Sequence, residues 1–375
     1  MSPESQHQSQ KKLKIALIVD SNSSSKYVYD IAAWAKDESN LEISSLIIQN
    51  IPISSANKYQ KIFQIFKKKG LKYFIETLGF TFILKLELLF LARTHRHHDH
   101  FKKFNLLEKV DKLIDVKPII SKSGFVHRFD DDDIKKIREA KFDVLIRCGT
   151  GILRGDILTA AKYGIISFHH ADNKINRGGP AGFWEVYNKE DSTGFTIQQL
   201  TDELDGGNVL FQGFVATHSY FLLNQANLYI KSNFYMKRVL LELSKNKNFP
   251  EILSSFPYFN KLYKRPSTKI QFLYFFSLVV SKIKRIVDSI FFRKKYDRWG
   301  VAFQFSDWRN LVMWKAAKIK NPPNHFLADP FIVSENNKHY CFVEDYDFTK
   351  DRGCISLYEL NTSTAIRHGE IIVEP

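Results

Sequence analysis

Cysteine is scarce in these 375 residues: Cys148, Cys341 and Cys354 stand far apart. They provide neither a disulfide framework nor a Cys-x-x-Cys metal knuckle. Glycine is missing from the turn after the first apolar run, Ser21 to Ser25. A dinucleotide site needs glycines there for close backbone approach to a pyrophosphate, so a nicotinamide or flavin site is excluded. Long apolar runs are missing as well. FIETLGFTFILKLELLFLA (74–92) is broken by Glu76, Lys85 and Glu87, and IQFLYFFSLVVSKIKRIVDSIFF (270–292) soon meets Lys282, Lys284 and Arg285. A crossing asks for ~20 apolar residues, so neither run spans a membrane. The second suits either a helix packed on a neighbouring domain or one lying at a membrane interface. MSPESQHQSQKK at the start has no apolar segment behind it, so no signal peptide is read and the cytoplasm is the expected compartment. Acid is in short supply too. The net charge of +15 predicts anionic partners: phosphorylated substrates, nucleic acid or an acidic membrane face.

What is present reads as globular, with 44% hydrophobic residues and length enough for two domains. Residues 13 to 19, LKIALIV, read as a buried strand, VYDIAAWA has helical apolar spacing, and ISSLIIQ (43–49) is the next strand. This βαβ opening predicts a Rossmann-like α/β domain with a parallel sheet, covering 13–245 after a disordered tail at 1–12. A basic helical insertion occupies about 58–112 and contains THRHHDHF (94–101). The spacing of His95, His97, His98 and His100 around Asp99 fits no zinc site, so a solvated helix end is expected and no metal is assigned. DVKPII gives a strand, DDDDIKKIREA a helix whose acidic run caps it, and FDVLIRC (142–148) another strand. GTGILRGDILTAAKYG predicts a further helix, IISFHH a strand, and STGFTIQQL and GGNVLFQGFVA two more. A long helix, LLNQANLYIKSNFYMKRVLLELS, closes the domain. Residues 246–298 read as a linker with an amphipathic helix, and 299–375 as the start of an all-β module.

Ligands of open α/β sheets sit beyond the carboxyl ends of the strands. FDVLIRC delivers Gly149-Thr150-Gly151 to that edge, and IISF delivers His169 and His170. Glycines let a flat ligand approach the backbone, while histidines offer a donor or a proton acceptor. LDGGN places Asp205 in a tight turn before another strand, where a carboxylate can hold a histidine protonated or take a proton through water. The plain alternative for these residues is a hydrogen-bonded support and an ordinary turn.

The run FDVLIRCGTGIL, then GIISFHHADNKINRGGPAGFWEVYNKEDSTGFTIQQLTDELDGGNVL, resembles the catalytic half of the folate-dependent formyltransferases. That family's pattern is a strand ending in Asn-x-His, a loop with Pro and Arg-Gly, a Thr-Gly strand and an Asp-x-Gly turn. The matching residues are His169, Arg177-Gly178, Pro180, Thr193-Gly194 and Asp205-Gly206-Gly207. The likeness covers residues 115 to 245 well and 13 to 50 in pattern. It implies 10-formyltetrahydrofolate as formyl donor and a small-molecule amine as acceptor. His169 would donate to the developing oxyanion and Asp205 would manage the amine proton. The folate pocket would include Gly149, Gly151, Ile152 and Leu153, with core packing the alternative for the last two. Arg177 and Gly178 would lie on the substrate side, in a loop held open by its glycines. The family's asparagine falls on Ser167. Losing one such donor costs about 100- to 1,000-fold in rate. Three alternatives stand: Ser167 acts through water, His170 substitutes, or the fold serves as an inactive binding module.

HFLADPFIVSENNKHYCFVEDYDFTKDRGCISLYEL (325–360) resembles the first blade of the propeller module of plant glucosamine inositolphosphorylceramide transferases. On that resemblance Asp329 matches a catalytic base of propeller glycosidases, with Glu344 and Asp345 on the next strand. One blade cannot bury its own apolar face, so an incomplete module is expected. The sugar-related tail points to an amino-sugar or other surface-polysaccharide precursor, nucleotide-linked in form, ahead of transfer RNA as acceptor. A membrane-associated glycan-processing protein, anchored peripherally through 270–292, is the remaining alternative.

Overall fold

The computed structural model describes residues 12–51, 58–94, 98–171, 177–202, 207–250, 262–291, 299–311 and 316–373. The chain divides into two compact units, Met1–Phe276 and Ser277–Pro375.

The first unit is built on seven strands and five helices that lie wholly within it. In chain order these are β1 (Leu13–Val19), α1 (Lys26–Asp37), β2 (Leu41–Gln49), α2 (Lys58–Thr94), β3 (Lys112–Val116), α3 (Asp131–Glu139), β4 (Val144–Arg147) and β5 (Ile165–His169). Then come α4 (Phe183–Asn188), β6 (Ser192–Gln199), β7 (Asn208–Ala216) and α5 (Phe221–Asn246). The strands lie in the order β7-β6-β5-β4-β1-β2-β3. From β3 to β5 all pairings are parallel; β6 and β7 add an antiparallel edge.

Alternation along the strands sorts side chains to two faces. Leu13, Ile15, Leu17 and Val19 of β1 join Val144, Ile146, Ile166 and Phe168 in one core, covered by Val28, Ile31 and Ala35 of α1 and by Met236, Leu240 and Leu243 of α5. Ala16, Ile18, Leu145 and Ile165 face the other way, against Ile134 and Ile137 of α3. The second face is the one that matters for chemistry, because the polar residues at the strand ends share it. The acidic run before α3 caps that helix: Asp130 accepts from the Asp133 amide at 2.8 Å. Asp133 in turn is buried, accepting from the Lys117 amide at 2.7 Å and pairing with Lys136.

Two expected elements differ. DVKPII is not one strand, because Pro118 has no amide hydrogen to continue a ladder; β3 stops at Val116, and Ile119–Ile120 pair elsewhere. The helix expected after GTGIL is absent. Ile152–Leu153 runs parallel to Val126–His127, and bonds such as Leu158 N to Gly155 O tighten the following run into a short 3-10 turn.

Helix α6 (Thr268–Phe291) contains the boundary between the units. No helix among the described residues is long and apolar enough to cross a membrane, which says nothing of strand-built barrels. In the second unit β8 (His325–Glu335), β9 (Lys338–Asp347), β10 (Arg352–Leu360) and β11 (Ala365–Val373) form an open antiparallel sheet in sequence order. Leu327, Cys341, Val343, Tyr358 and Leu360 make its core with Val301, Phe303 and Ile319. The described strands form no closed sheet, so a propeller is not seen in this structure.

Candidate functional site

At the C-terminal ends of β4 and β5 lies a cavity of about 210 Å³. Its lining combines Arg147 with Gly151, Ile152 and Leu153 from the β4 side, and Ser167, Phe168 and His169 from β5. Gln198, Leu200, Thr201 and Gly207 complete it. Pairing register explains the convergence: Ser167 lies opposite Arg147 on one side and Gln198 on the other, so all three project from the same face. Asp205 and Gly206 lie outside the described residues, next to Gly207 in sequence.

Ser167 is 1% exposed, and its hydroxyl donates to the Phe168 carbonyl at 3.1 Å. A hydroxyl has one hydrogen, so in this arrangement Ser167 offers the cavity an acceptor. His169 is half-buried and lines the cavity. His170 does not. Period-two alternation turns it to the opposite face, where its ring stacks on Phe168 at 5.4 Å and meets Tyr27 and Tyr229. Its Nε2 lies 3.1 Å from Ser232 Oγ, which already donates to the Tyr229 carbonyl. The imidazole is therefore the donor, protonated at Nε2. Burial, then His169 and His100, push its pKa down to about 3. Substitution of the missing asparagine by His170 is thus corrected: this ring supports the core behind the strand.

The turn after β4 is held by a polar chain that sequence reasoning missed. Arg147 Nε donates to the Gly151 carbonyl at 2.9 Å, and Nη2 bonds the same oxygen. Gly151 sits at φ +82°, and a Cβ there would come within 2.3 Å of His127 Nδ1. His127 Nδ1 lies 2.9 Å from Gln49 Oε1. Asp20, just beyond β1, accepts the Thr150 amide on both oxygens, at 2.9 and 3.0 Å. Gly149 belongs to this support and does not line the cavity: its Cβ position is filled by Asp20 and Gln49, each at 2.7 Å. That corrects its expected place beside the cofactor. Leu153 is 2% exposed and packs in the α3-side core, while Ile152 is half-buried. The signal available for Arg147 was a charge ending an otherwise apolar strand.

Of Arg177 only the backbone is described. Arg177–Gly178 pairs in parallel with Leu262–Tyr263. Gly178 has φ +101°, and a Cβ would strike the Tyr263 carbonyl at 2.0 Å. Its glycine thus permits a tight strand contact, not an open loop; Gly179 faces open space. Thr193 is buried, bonding Asn224 Nδ2 and Thr217 Oγ1 at 2.9 Å each, which makes it a support for the α5 start. His95 and His97 lie outside the described residues, and His100 packs against Phe101 and Tyr229.

In the second unit Asp329 is exposed on a bulge of β8, at φ +45°. Glu344 and Asp345 follow on β9. Asp345 is fully buried, 2.6 Å from His325 Nδ1, and accepts from Ser356 Oγ at 2.8 Å and Arg367 Nη2 at 3.1 Å. These bonds make it a structural carboxylate tying three strands to one centre.

No known family's sequence profile matches the chain. Over 82 residues it is 30% identical to the methionyl-tRNA formyltransferases of Bacillus thuringiensis (strain Al Hakam) and Bacillus cereus (strain B4264), covering 22% of this chain. These curated relatives are formyltransferases. The chain spans about a quarter of their length (26%). Among solved structures, glycinamide ribonucleotide transformylase 1 from Symbiobacterium toebii aligns at 14% identity with a TM-score of 0.41, over 65% of this chain and 95% of that one. A sugar N-formyltransferase from Shewanella sp FDAARGOS_354 aligns at 16% identity and a TM-score of 0.37, over 67% and 75%.

Proposed function

We propose that this protein transfers a formyl group from 10-formyltetrahydrofolate to an amine. The observation that carries the proposal is the convergence of His169, Ser167 and the Gly151–Leu153 turn on one cavity at the C-terminal edge of the parallel sheet. The cavity suits such a donor. Gln198 is 7% exposed and, among the described residues, its Oε1 is a buried acceptor with no partner, so a ligand bringing N–H groups satisfies it. Ile152 and Leu200 offer apolar surface to a flat ring.

The donor supplies the formyl carbon, whose oxygen turns negative as an amine adds. His169 donates to that oxygen, a contribution worth about 100- to 1,000-fold in rate. Asp205 takes the proton-handling role that the resemblance implies, and Arg177–Gly178 lie toward the acceptor. An amino-sugar or related polysaccharide precursor, nucleotide-linked, suits the basic surface. Calorimetric titration with 5-formyltetrahydrofolate, a stable donor analogue, tests this. Saturable binding weakened by Asp205→Ala supports it; a folded protein that binds nothing at millimolar ligand reduces the domain to an inactive fold.

The helices favour a second reading beside the first, contact with an anionic membrane surface. On α2 Leu71, Ile75, Leu78, Phe82 and Leu89 recur at helical spacing and are exposed, with Lys67, Lys72 and Lys85 also exposed. On α6 the same holds for Phe272, Phe276, Val280, Ile283 and Val287, with Lys269, Lys282 and Lys284. Co-sedimentation with phosphatidylserine vesicles, but not phosphatidylcholine ones, and its loss in Phe82→Glu are the expected results. A glycan-processing role for Asp329 in a propeller-like second unit is proposed on sequence resemblance alone, and an unchanged glycan-binding profile in Asp329→Asn counts against it.

A further inference from the structure

Arg147 is a cation set into the cavity wall, and among the described residues no anion pairs with it. It ends β4, lies beside Ser167 in the register and lines the same cavity as His169. Among the described residues no carboxylate lies within ion-pair distance of it; Asp20 acts on it only from farther away, and both Asp20 oxygens are taken by the Thr150 amide. A guanidinium carries five N–H donors in a fixed fork. Two of them, on Nε and Nη2, go to the Gly151 carbonyl, which His127 and the glycine's own left-handed backbone hold in place. The fork is thus oriented before any ligand arrives. Burial disfavours its charge and lowers its pKa, yet arginine stays protonated in proteins. Nearby Ser167 spends its hydrogen on Phe168, so the hydroxyl is not the second donor of this site.

We propose that Arg147 is a catalytic residue of this cavity, holding the formyl oxygen as it becomes anionic. The assignment rests on the formyl-transfer reading. In the step, the amine lone pair forms the new C–N bond and the carbonyl π pair moves onto oxygen, where Arg147 and His169 donate to it. The pair returns as the bond from the formyl carbon to the donor nitrogen breaks, and the surplus amine proton ends on that departing nitrogen. Arg147 keeps its own proton throughout. A preoriented charge costs no reorganisation at the moment of reaction and acts strongly in a site partly closed to water.

The test compares the full chain with Arg147→Gln and Arg147→Lys, each checked for an unchanged circular dichroism spectrum. Three readings are taken: calorimetric affinity for 5-formyltetrahydrofolate, hydrolysis of 10-formyltetrahydrofolate with water in the amine's place, and line broadening of ¹³C-formate. Arg147→Gln is expected to bind the analogue like the parent, to hydrolyse the donor roughly 100- to 1,000-fold more slowly, and to stop broadening formate. Arg147→Lys should fall between, since it keeps the charge and loses the fork. Undiminished hydrolysis in Arg147→Gln overturns the proposal. So does lost affinity with full turnover at saturation, which would make Arg147 the holder of a permanent anionic group. If the parent binds the analogue without hydrolysing the donor, formate decides alone. If the parent does not bind the analogue, the formyl-transfer reading fails, while formate broadening that depends on Arg147 still marks an anion site.

Discussion

Acidification from pH 7 to pH 5 is expected to weaken the first unit by about 2 kcal/mol through His170 alone. The ring is enclosed by Phe168, Tyr27 and Tyr229, and burial pushes its pKa down to about 3 against 6.5 in an unfolded chain. The folded protein therefore holds this histidine neutral across the range where the unfolded chain takes up a proton. The stability it contributes is complete above the unfolded value and is lost as pH falls toward the folded one. One and a half pH units below 6.5, at about 1.4 kcal/mol each, give the 2 kcal/mol. Charge on His169 or His100 disfavours charge on the same ring, and His127, also pushed down by burial, adds a pH dependence of its own. A variant must isolate the term. His170→Phe keeps an aromatic ring among aromatic neighbours and gives up only the bond to Ser232 Oγ, about 1 kcal/mol at pH 7. Urea denaturation at pH 7, 6 and 5 should show the gap between the parent and the variant closing and then reversing. Parallel losses in the two proteins would refute a neutral buried imidazole and return His170 to the list of groups able to serve the cavity.

Gly151→Ala forces a Cβ against the His127 ring at a left-handed position, so a loss of about 1–3 kcal/mol is expected by denaturation. Slower hydrolysis of 10-formyltetrahydrofolate should accompany it, because the Gly151 carbonyl also anchors Arg147. Glu87 is 2% exposed, bonded to the Leu222 amide at 2.7 Å and to Tyr274, and burial raises its pKa. Glu87→Gln should accordingly be neutral or stabilising at pH 7, whereas Tyr274→Phe should cost about 1 kcal/mol, both read from urea midpoints. Asp345→Asn removes the charge that His325, Ser356 and Arg367 share inside the second unit. A loss of about 3–5 kcal/mol in that unit's transition is expected, with the first unit's transition unmoved.

The strands and the parallel sheet they build were legible because they rest on local pattern. LKIALIV, FDVLIR and IISFH are short apolar runs, each ending in or followed by a polar residue, and such runs become the buried parallel strands β1, β4 and β5. The Asp run before α3 was legible for the same reason, since a cap needs only its own helix. The missing helix after GTGIL was not. Its text has helical spacing, but Ile152–Leu153 is claimed by Val126–His127, a pairing across 26 residues of sequence that no local window contains.

The site divides along the same line. His169 is readable because it ends a strand, and strand ends in open α/β sheets gather ligands. The two-residue period also separates His169 from His170 once the core face of β5 is known. What a single chain of letters hides is the company each residue keeps. Gly149 and Gly151 look alike in GTG, yet one backs onto Asp20 and Gln49 while the other shapes the cavity and fixes an arginine. Arg147 and Gln198 are 51 positions apart in the numbering and become neighbours of Ser167 only through the register of three strands. A small hydroxyl at position 167 therefore need not mean a weakened site. The position sits between a guanidinium and a buried amide, so the flanking strands supply polar groups to the same cavity.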